Sequence, residues 1–229
     1  MPLSLPLLAF DTSAAHCAAA LLLSGDTLPP VMRMEVMEKG QAERLMPLLE
    51  EVLAEAGLGW RDLGGIAVGI GPGNFTGVRI AVSAARGLAL GLGIPVAGIS
   101  SFELMHERGE PDIHPAEWVC LPAPRDQVYL QHFSHGLTQS APILLDPATS
   151  LAALTPPEGL RVVGHRAAEI ARPFGAEAVE TALTDLPRRL AHTAARRFRS
   201  GRIGPRPAPL YVRPADASPP SEPPPVILP

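Results

Sequence analysis

The sequence has almost no lysine. Of its 19 basic residues only Lys39 is lysine, and it sits in Met-Glu-Lys-Gly-Gln. A Walker-type phosphate loop needs a lysine directly after its glycines, so that motif is excluded. A Schiff base would have to form at Lys39, in a charged stretch that reads as exposed. Cysteine is scarce too: Cys17 and Cys120 are the two in 229 residues. They cannot build a disulfide framework and read as small core residues in a reducing compartment. An excess of positive charge is also missing. The net charge of −4 gives no overall attraction to nucleic acid, so an RNA contact would have to be local or supplied by a partner. Residues 1–10 are apolar, but no basic residue precedes Arg33, so a signal peptide's positive flank is missing. Residues 80–99 are apolar enough to suggest a membrane helix. Arg86, Pro95 and several glycines in that stretch favour a helix followed by a strand. The expected setting is cytoplasmic, with no membrane partner.

Proline is plentiful, and 10 of its 27 copies fall in residues 205–229. That tail can form neither helix nor central strand. It reads as extended, with Pro209-Leu210-Tyr211-Val212-Arg213 apolar enough to dock back on the body. Before the tail, residues 5–11, 16–23 and 31–37 read as a strand meander with a turn at Ser24-Gly25-Asp26. A helix follows over 43–56, a strand over 65–70, a helix over 78–92, a strand over 94–99 and a short helix capped by Ser100-Ser101. The charged, proline-containing stretch 108–115 marks a boundary. Beyond it, strands are expected near 118–121, 127–133, 143–145 and 161–164, and helices over 166–171 and 186–199. The pattern predicts an α/β chain with mixed sheets flanked by helices. Its N-terminal lobe spans 1–107, a smaller second lobe 108–204, and the tail 205–229.

Two segments carry chemistry. Residues 71–77, Gly-Pro-Gly-Asn-Phe-Thr-Gly, link a buried strand to a helix. Such a loop either holds phosphate at the helix N-terminus, with Thr76 as cap, or is simply a tight strand-to-helix turn. Phe75 at its tip needs a pocket, in its own fold or in another subunit. Asp11-Thr12-Ser13 ends the first strand. There the acid and hydroxyls either hold a metal–phosphate complex or close a turn. Asp11, Thr12, Ser13, Gly71, Gly73 and Thr76 are therefore the candidate nucleotide or phosphate residues. None of the seven histidines forms a helical His-x-x-x-His pair. His132 and His135, three apart on a strand end, fall on opposite faces, so no metal site is expected. Gly-x-Ser-x-Gly is absent, no nucleophile has an evident base, and no catalytic residue is assigned. The basic run from Arg196 to Arg202 reads either as an RNA-phosphate contact or as a solvated helix end.

The helix over 43–56 has an unusually wide apolar arc. Leu45, Leu48, Leu49, Val52 and Ala56 make one stripe, which Met46 and Leu53 widen. Either it is a deeply packed core helix, or it faces its own sheet on one side and a partner on the other. Pro47 fits only in the first turn of a helix. In the helix over 78–92 small apolar residues share one face, and Arg79, Ser83 and Arg86 share another.

Leu7-Leu8-Ala9-Phe10-Asp11-Thr12-Ser13, Gln41-Ala42-Glu43-Arg44-Leu45-Met46-Pro47 and Gly69-Ile70-Gly71-Pro72-Gly73-Asn74-Phe75-Thr76-Gly77-Val78-Arg79, with Gly87-Leu88-Ala89 downstream, together resemble the TsaB (YeaZ) family. The Pro-Leu-Tyr-Val-Arg element at 209–213 and Arg125-Asp126-Gln127-Val128-Tyr129 resemble its C-terminal and second-domain motifs. The resemblance implies a two-lobed fold of the acetate kinase, sugar kinase, Hsp70 and actin superfamily. It implies a non-catalytic subunit in the synthesis of N6-threonylcarbamoyladenosine at position 37 of tRNA. Such a subunit partners the catalytic paralogue TsaD and the ATPase TsaE and meets tRNA through the complex. It requires no cofactor of its own, ATP and magnesium belonging to the complex. In the family the helices matching 43–56 and 78–92 form the subunit interface, which points to Leu45, Leu48, Leu49, Val52, Leu53, Phe75, Val78, Arg79, Val82, Ala85 and Arg86. Gln41 stands where the family often has His. Two alternatives stay open: an independent nucleotide-dependent phosphotransferase of the same superfold, and a stand-alone regulatory homodimer using the same apolar face.

Overall fold

The computed structural model describes residues 5–24, 29–106 and 114–212. The expected turn residues Gly25 and Asp26, most of the 108–115 boundary, Arg213 and the rest of the tail lie outside the described residues.

The chain forms two mixed sheets. The first contains β1 (Leu7–Asp11), β2 (His16–Leu22), β3 (Val31–Val36), β4 (Gly65–Gly69) and β5 (Val96–Ile99), in the order β3-β2-β1-β4-β5. The first three strands form an antiparallel meander, and β4 and β5 run parallel to β1. Parallel strands need crossovers, which α1 (Gln41–Glu55) and α2 (Phe75–Leu92) supply. The second sheet contains β6 (Ala116–Pro122), β7 (Val128–Ser134), β8 (Leu137–Thr138), β9 (Ile143–Leu145), β10 (Leu160–Gly164) and β11 (Glu177–Glu180). Its order is β11-β10-β6-β7-β8, with β9 also on β7. With β9 set aside and the second sheet read from its β8 end, each sheet runs third, second, first, fourth, fifth, counted from its own first strand. The two lobes thus repeat one topology that no sequence repeat reveals.

Alternation along β1 and β2 assigns their side chains to two faces. Leu8, Phe10, Cys17, Ala19 and Leu21 pack under α1 and α2 with Leu48, Leu49, Val52, Ala81 and Ala85. The opposite face is mostly alanine: Ala9, Ala18, Ala20 and Ala67. Small side chains there let α5 (Leu186–Arg199) lie close, with Leu190, Ala191, Ala194 and Ala195 against them. This redraws the boundary expected from the sequence. Residues 186–199, read with the second lobe, return across the molecule to close the first. An amphipathic helix shows which residues it buries but not which sheet receives them. The second sheet carries α4 (Ala167–Ala171) on one face. On the other lies α3 (Ser101–His106), with Phe102 and Met105.

Local signals explain the helix ends. Gly57, at φ 67°, ends α1, with Leu58 N–H donating to the Leu53 carbonyl and Gly57 N–H to that of Ala54, each at 3.0 Å; this is a Schellman closure. Ser100 and Glu103 form a capping box on α3. Ser100 N–H donates to the Glu103 carboxylate at 2.8 Å and Glu103 N–H to the Ser100 hydroxyl at 3.2 Å. Pro47 departs from expectation. The helix begins at Gln41, so Pro47 lies beyond the first turn. Its ring costs the Glu43 carbonyl a partner, and both residues lie on the exposed side, where water substitutes. The chain end returns at Leu210, whose N–H donates to the Ile70 carbonyl at 2.8 Å. Leu210 and Val212 lie against the cluster of Phe102, Met105 and Val119.

Leu190 is 0% exposed within the first lobe. We expect Leu190→Ala to cost about 2–5 kcal/mol in urea unfolding. A loss under about 0.5 kcal/mol, typical of a surface change, would detach α5 from that core.

Candidate functional site

The 11–13 turn and the 71–77 loop meet at the C-terminal ends of β1 and β4. These are neighbouring parallel strands whose connections leave in different directions, a position where α/β sheets commonly bind ligands. Here the space is occupied by the chain itself. Thr12 Oγ1 donates to the Gly77 carbonyl at 2.7 Å, and Asn74 N–H donates to the Ser13 carbonyl at 2.6 Å. A Cβ on Gly73 would overlap the Ser13 carbonyl oxygen, and one on Gly77 the Thr12 carbonyl oxygen. The two glycines are therefore explained by close approach of their own backbone. A Cβ on Gly69 would likewise strike the Asp11 carboxylate.

Asp11 is 2% exposed. Its Oδ1 accepts from Ser13 N–H and Ser13 Oγ, each at 2.8 Å, and pairs with His16 Nε2 at 2.7 Å. The N-terminus of α2 is satisfied by Asn74, whose Oδ1 accepts from Thr76 N–H at 2.9 Å and Gly77 N–H at 3.0 Å. The cap is thus Asn74 and not Thr76: only the residue before the first turn can aim its side chain at the free N–H groups. The structure brings together all six candidate phosphate residues. At their centre, Asp11 Oδ1 and the N–H groups of Thr76, Gly77 and Val78 are engaged in internal bonds.

At the exposed start of α2 the arrangement turns outward. Phe75, 39% exposed, lies 5.0 Å from the ring of Tyr211, 47% exposed. The Arg79 guanidinium stands 3.7 Å over the Phe75 ring, and its Nε donates to Tyr211 Oη at 2.7 Å. The returning chain end thus supplies part of the pocket Phe75 requires. Further along α2, Ser83, Arg86, Gly87 and Leu90 are exposed, Leu90 at 76%. Gly91 and Leu92 then join Trp60, Arg61, Leu63 and Ile94 around a cleft of about 200 Å³. The helix is apolar and long enough to cross a membrane, yet only 33% of it is buried.

The proposed interface residues divide in two. Leu45, Leu48, Leu49, Val52, Leu53, Val78, Val82 and Ala85 are all buried within this chain, none more than 3% exposed. Phe75, Arg79 and Arg86 are exposed. The wide arc of α1 is filled by the sheet and by α2. Met46, at 36% exposure, is its large apolar residue facing outward.

A buried ionic cluster in the second lobe escaped the sequence reading. Glu117 is 0% exposed and contacts His106 Nδ1, while Arg161 Nε donates to it at 3.0 Å. The signal was an acid next to Trp118 in a strand that is otherwise apolar. His132 is half-buried and burial depresses its pKa. Among the described residues no three His, Cys, Asp or Glu side chains converge in a metal-holding group. Burial pushes the Cys17 thiol up to about 11 and raises that of Cys120, which makes both poor nucleophiles.

Comparison with known proteins places this architecture. A family model described as "TsaD: tRNA N6-adenosine threonylcarbamoyltransferase" matches residues 35–196. A tRNA threonylcarbamoyladenosine biosynthesis protein TsaB from Haemophilus influenzae is 38% identical over 128 residues, 55% of this chain and 52% of that protein. The Escherichia coli TsaB is 35% identical over 43% of this chain and 42% of its own length. The chain thus spans about half the length of the curated relatives it matches. Among solved structures, YeaZ from Pseudomonas aeruginosa is 26% identical with a TM-score of 0.63, covering 86% of this chain and 93% of that one. Two mixed sheets flanked by helices and the matched family model define the class: a protein related to TsaD. More narrowly, the chain belongs to the TsaB (YeaZ) family.

Asn74→Ala is expected to cost about 0.5–2 kcal/mol, as lost caps do. Gly77→Ala, which drives a methyl into backbone, should cost at least about 1–3 kcal/mol. Thermal or urea unfolding of the two variants checks this. A Gly77→Ala chain as stable as the parent would show that the two loops do not interlock. The Cys17 thiol stays neutral in the folded chain as pH rises through its ordinary value of 9.0, while the unfolded chain ionises. Stability should therefore fall above pH about 9 and be indifferent to this thiol below it. Unfolding followed from pH 7 to 10, for the parent and Cys17→Ala, tests the sign.

Proposed function

We propose that this chain is the non-catalytic partner subunit in the synthesis of N6-threonylcarbamoyladenosine at position 37 of tRNA. In this reading it binds and activates TsaD, acts with the ATPase TsaE, and works in the cytoplasm. Family membership supports the pathway. The single observation that carries the partner role is α2: an apolar helix with only a third of its residues buried. Its outward row from Phe75 through Arg79, Ser83 and Gly87 to Leu90 lies along one helical face. Small side chains at Ser83 and Gly87 let a second helix approach, and Leu90 gives it an apolar anchor. The buried leucines of α1 hold that face in place from behind.

The chain itself carries no catalytic residue in this account. Asp11 Oδ1 is engaged by Ser13 and His16, and the loop over 71–77 by Thr12 and Ser13, which weighs against an independent phosphotransferase using them. ATP and magnesium enter through the partners. A net charge of −4 suits a subunit whose partners supply most of the phosphate contacts to tRNA.

Leu90→Arg and Gly87→Arg should leave the melting temperature of the isolated chain unchanged, since Leu90 is exposed and a Gly87 side chain would enter open space. Each should weaken TsaD binding by at least about tenfold, as loss of an anchor in an interface core does. Leu48→Arg, in contrast, should fail to fold. Calorimetric titration against TsaD measures the first effect, and tRNA modification reconstituted with and without this chain measures the consequence. Unchanged binding by both arginine variants would remove α2 as the docking face. Full modification without the chain would remove the activating role.

A further inference from the structure

Charge is unevenly placed in this chain. Residues 186–206 hold seven of its 19 basic side chains, all arginine, and none of its 23 acids. That segment is therefore +7 and the rest of the chain −11. It consists of α5 and the residues that follow it. Two of the arginines face the fold: Arg189 Nη1 donates to the Leu104 carbonyl at 3.2 Å, and Arg197 Nη1 to the Gly98 carbonyl at 2.6 Å. The other five are exposed. Arg188, His192, Arg196 and Arg199 fall within about 80° of one another on a 3.6-residue helix and span about 17 Å of its length. Beyond the helix the chain doubles back. A Cβ on Gly204 would touch the Arg197 guanidinium, and one on Gly98 would meet Pro207. Arg202 and Arg206, on either side of Gly204, thereby join the C-terminal end of the row.

Folding does not account for this row. Cations suit the last turn of a helix, which covers Arg196 and Arg199. Arg188 stands in the first turn, where the dipole disfavours a cation, and its pair with Asp185 leaves both side chains about half exposed. Arg202 and Arg206 lie past the helix altogether. A protein partner would need an apolar anchor, and none of the exposed large hydrophobic side chains lies in 186–206. A phosphate backbone needs only charge and N–H donors.

We propose that this face binds the phosphate backbone of tRNA directly, without reading its bases. The choice of RNA rests on the proposed function; the choice of phosphate rests on the charge row. An arginine fork can give two N–H groups to one phosphate. Because α5 covers the face of the first sheet opposite α1 and α2, RNA on this row leaves the outer face of α2 open to TsaD.

Fluorescence anisotropy of an unmodified tRNA transcript titrated with the full chain, from 50 to 300 mM salt, tests this. The logarithm of the binding constant should fall with the logarithm of salt, with a slope of about −3 to −4.5 for five phosphate contacts. Arg202→Gln and Arg206→Gln should each flatten that slope by about one. Arg202→Glu with Arg206→Glu should weaken binding at least about tenfold, whereas lysine at both positions should retain it to within about threefold. All of these variants should keep the parent melting temperature and the parent affinity for TsaD. No RNA binding at 50 mM salt, or an unaffected Arg202→Glu, Arg206→Glu chain, would overturn the inference. So would polyglutamate that binds as tightly as RNA, which would give the face to an acidic protein. A chain that binds TsaD but no RNA contradicts this inference alone; one that binds RNA through the row but not TsaD contradicts the partner role and leaves the row standing.

Discussion

The structure depends on the interlock between the turn after β1 and the loop after β4. Two glycines let the 71–77 backbone lie against Thr12 and Ser13, and Thr12 and Asn74 bond across the contact. Asp11 holds the turn from beneath through Ser13 and His16. With these groups fixed, α2 can leave the sheet in only one direction. Its cap, its aromatic tip and its outward face inherit their positions from that contact.

The same contact decides what this end of the sheet can offer a ligand. The ends of β1 and β4 are where such a sheet would present an acid, hydroxyls and a helix N-terminus to a ligand. In this chain Asp11 Oδ1, the Thr12 and Ser13 hydroxyls and the N–H groups of Thr76, Gly77 and Val78 bond internally, and satisfied buried polar groups rigidify rather than react. In the proposed function recognition falls to the helix surface, where Phe75, Arg79 and Tyr211 form one end and Leu90 the other. Tyr211 reaches that cluster from the returning chain end, held by Leu210 on Ile70. A segment 132 residues away from Arg79 is thereby part of the same surface.

Much of this was legible in the sequence, and the gaps have physical causes. Periodicity revealed the meander, the crossover helices and the stop at Gly57, because each depends on local spacing. The residues of the 11–13 and 71–77 segments stood out through composition, and the fold does bring them together. Their purpose was not legible, since a glycine that admits a phosphate and one that admits a carbonyl look alike. The wide apolar arc of α1 left two readings open, because periodicity does not say whether sheet, neighbouring helix or partner covers it. The placement of α5 on the alanine face of the first sheet, and the Glu117 cluster with His106 and Arg161, are long-range pairings that no local pattern encodes.

The loop over 71–77 is a locked structural element. Amide hydrogen exchange at Asn74 and Gly77 reads this directly, because both N–H groups are bonded across or within the contact. Locked loops exchange only through large-scale opening. Both amides should exchange near the rate of global unfolding, unchanged by Mg-ATP. Fast exchange that Mg-ATP suppresses would contradict it, showing an open phosphate site in place of an interlock.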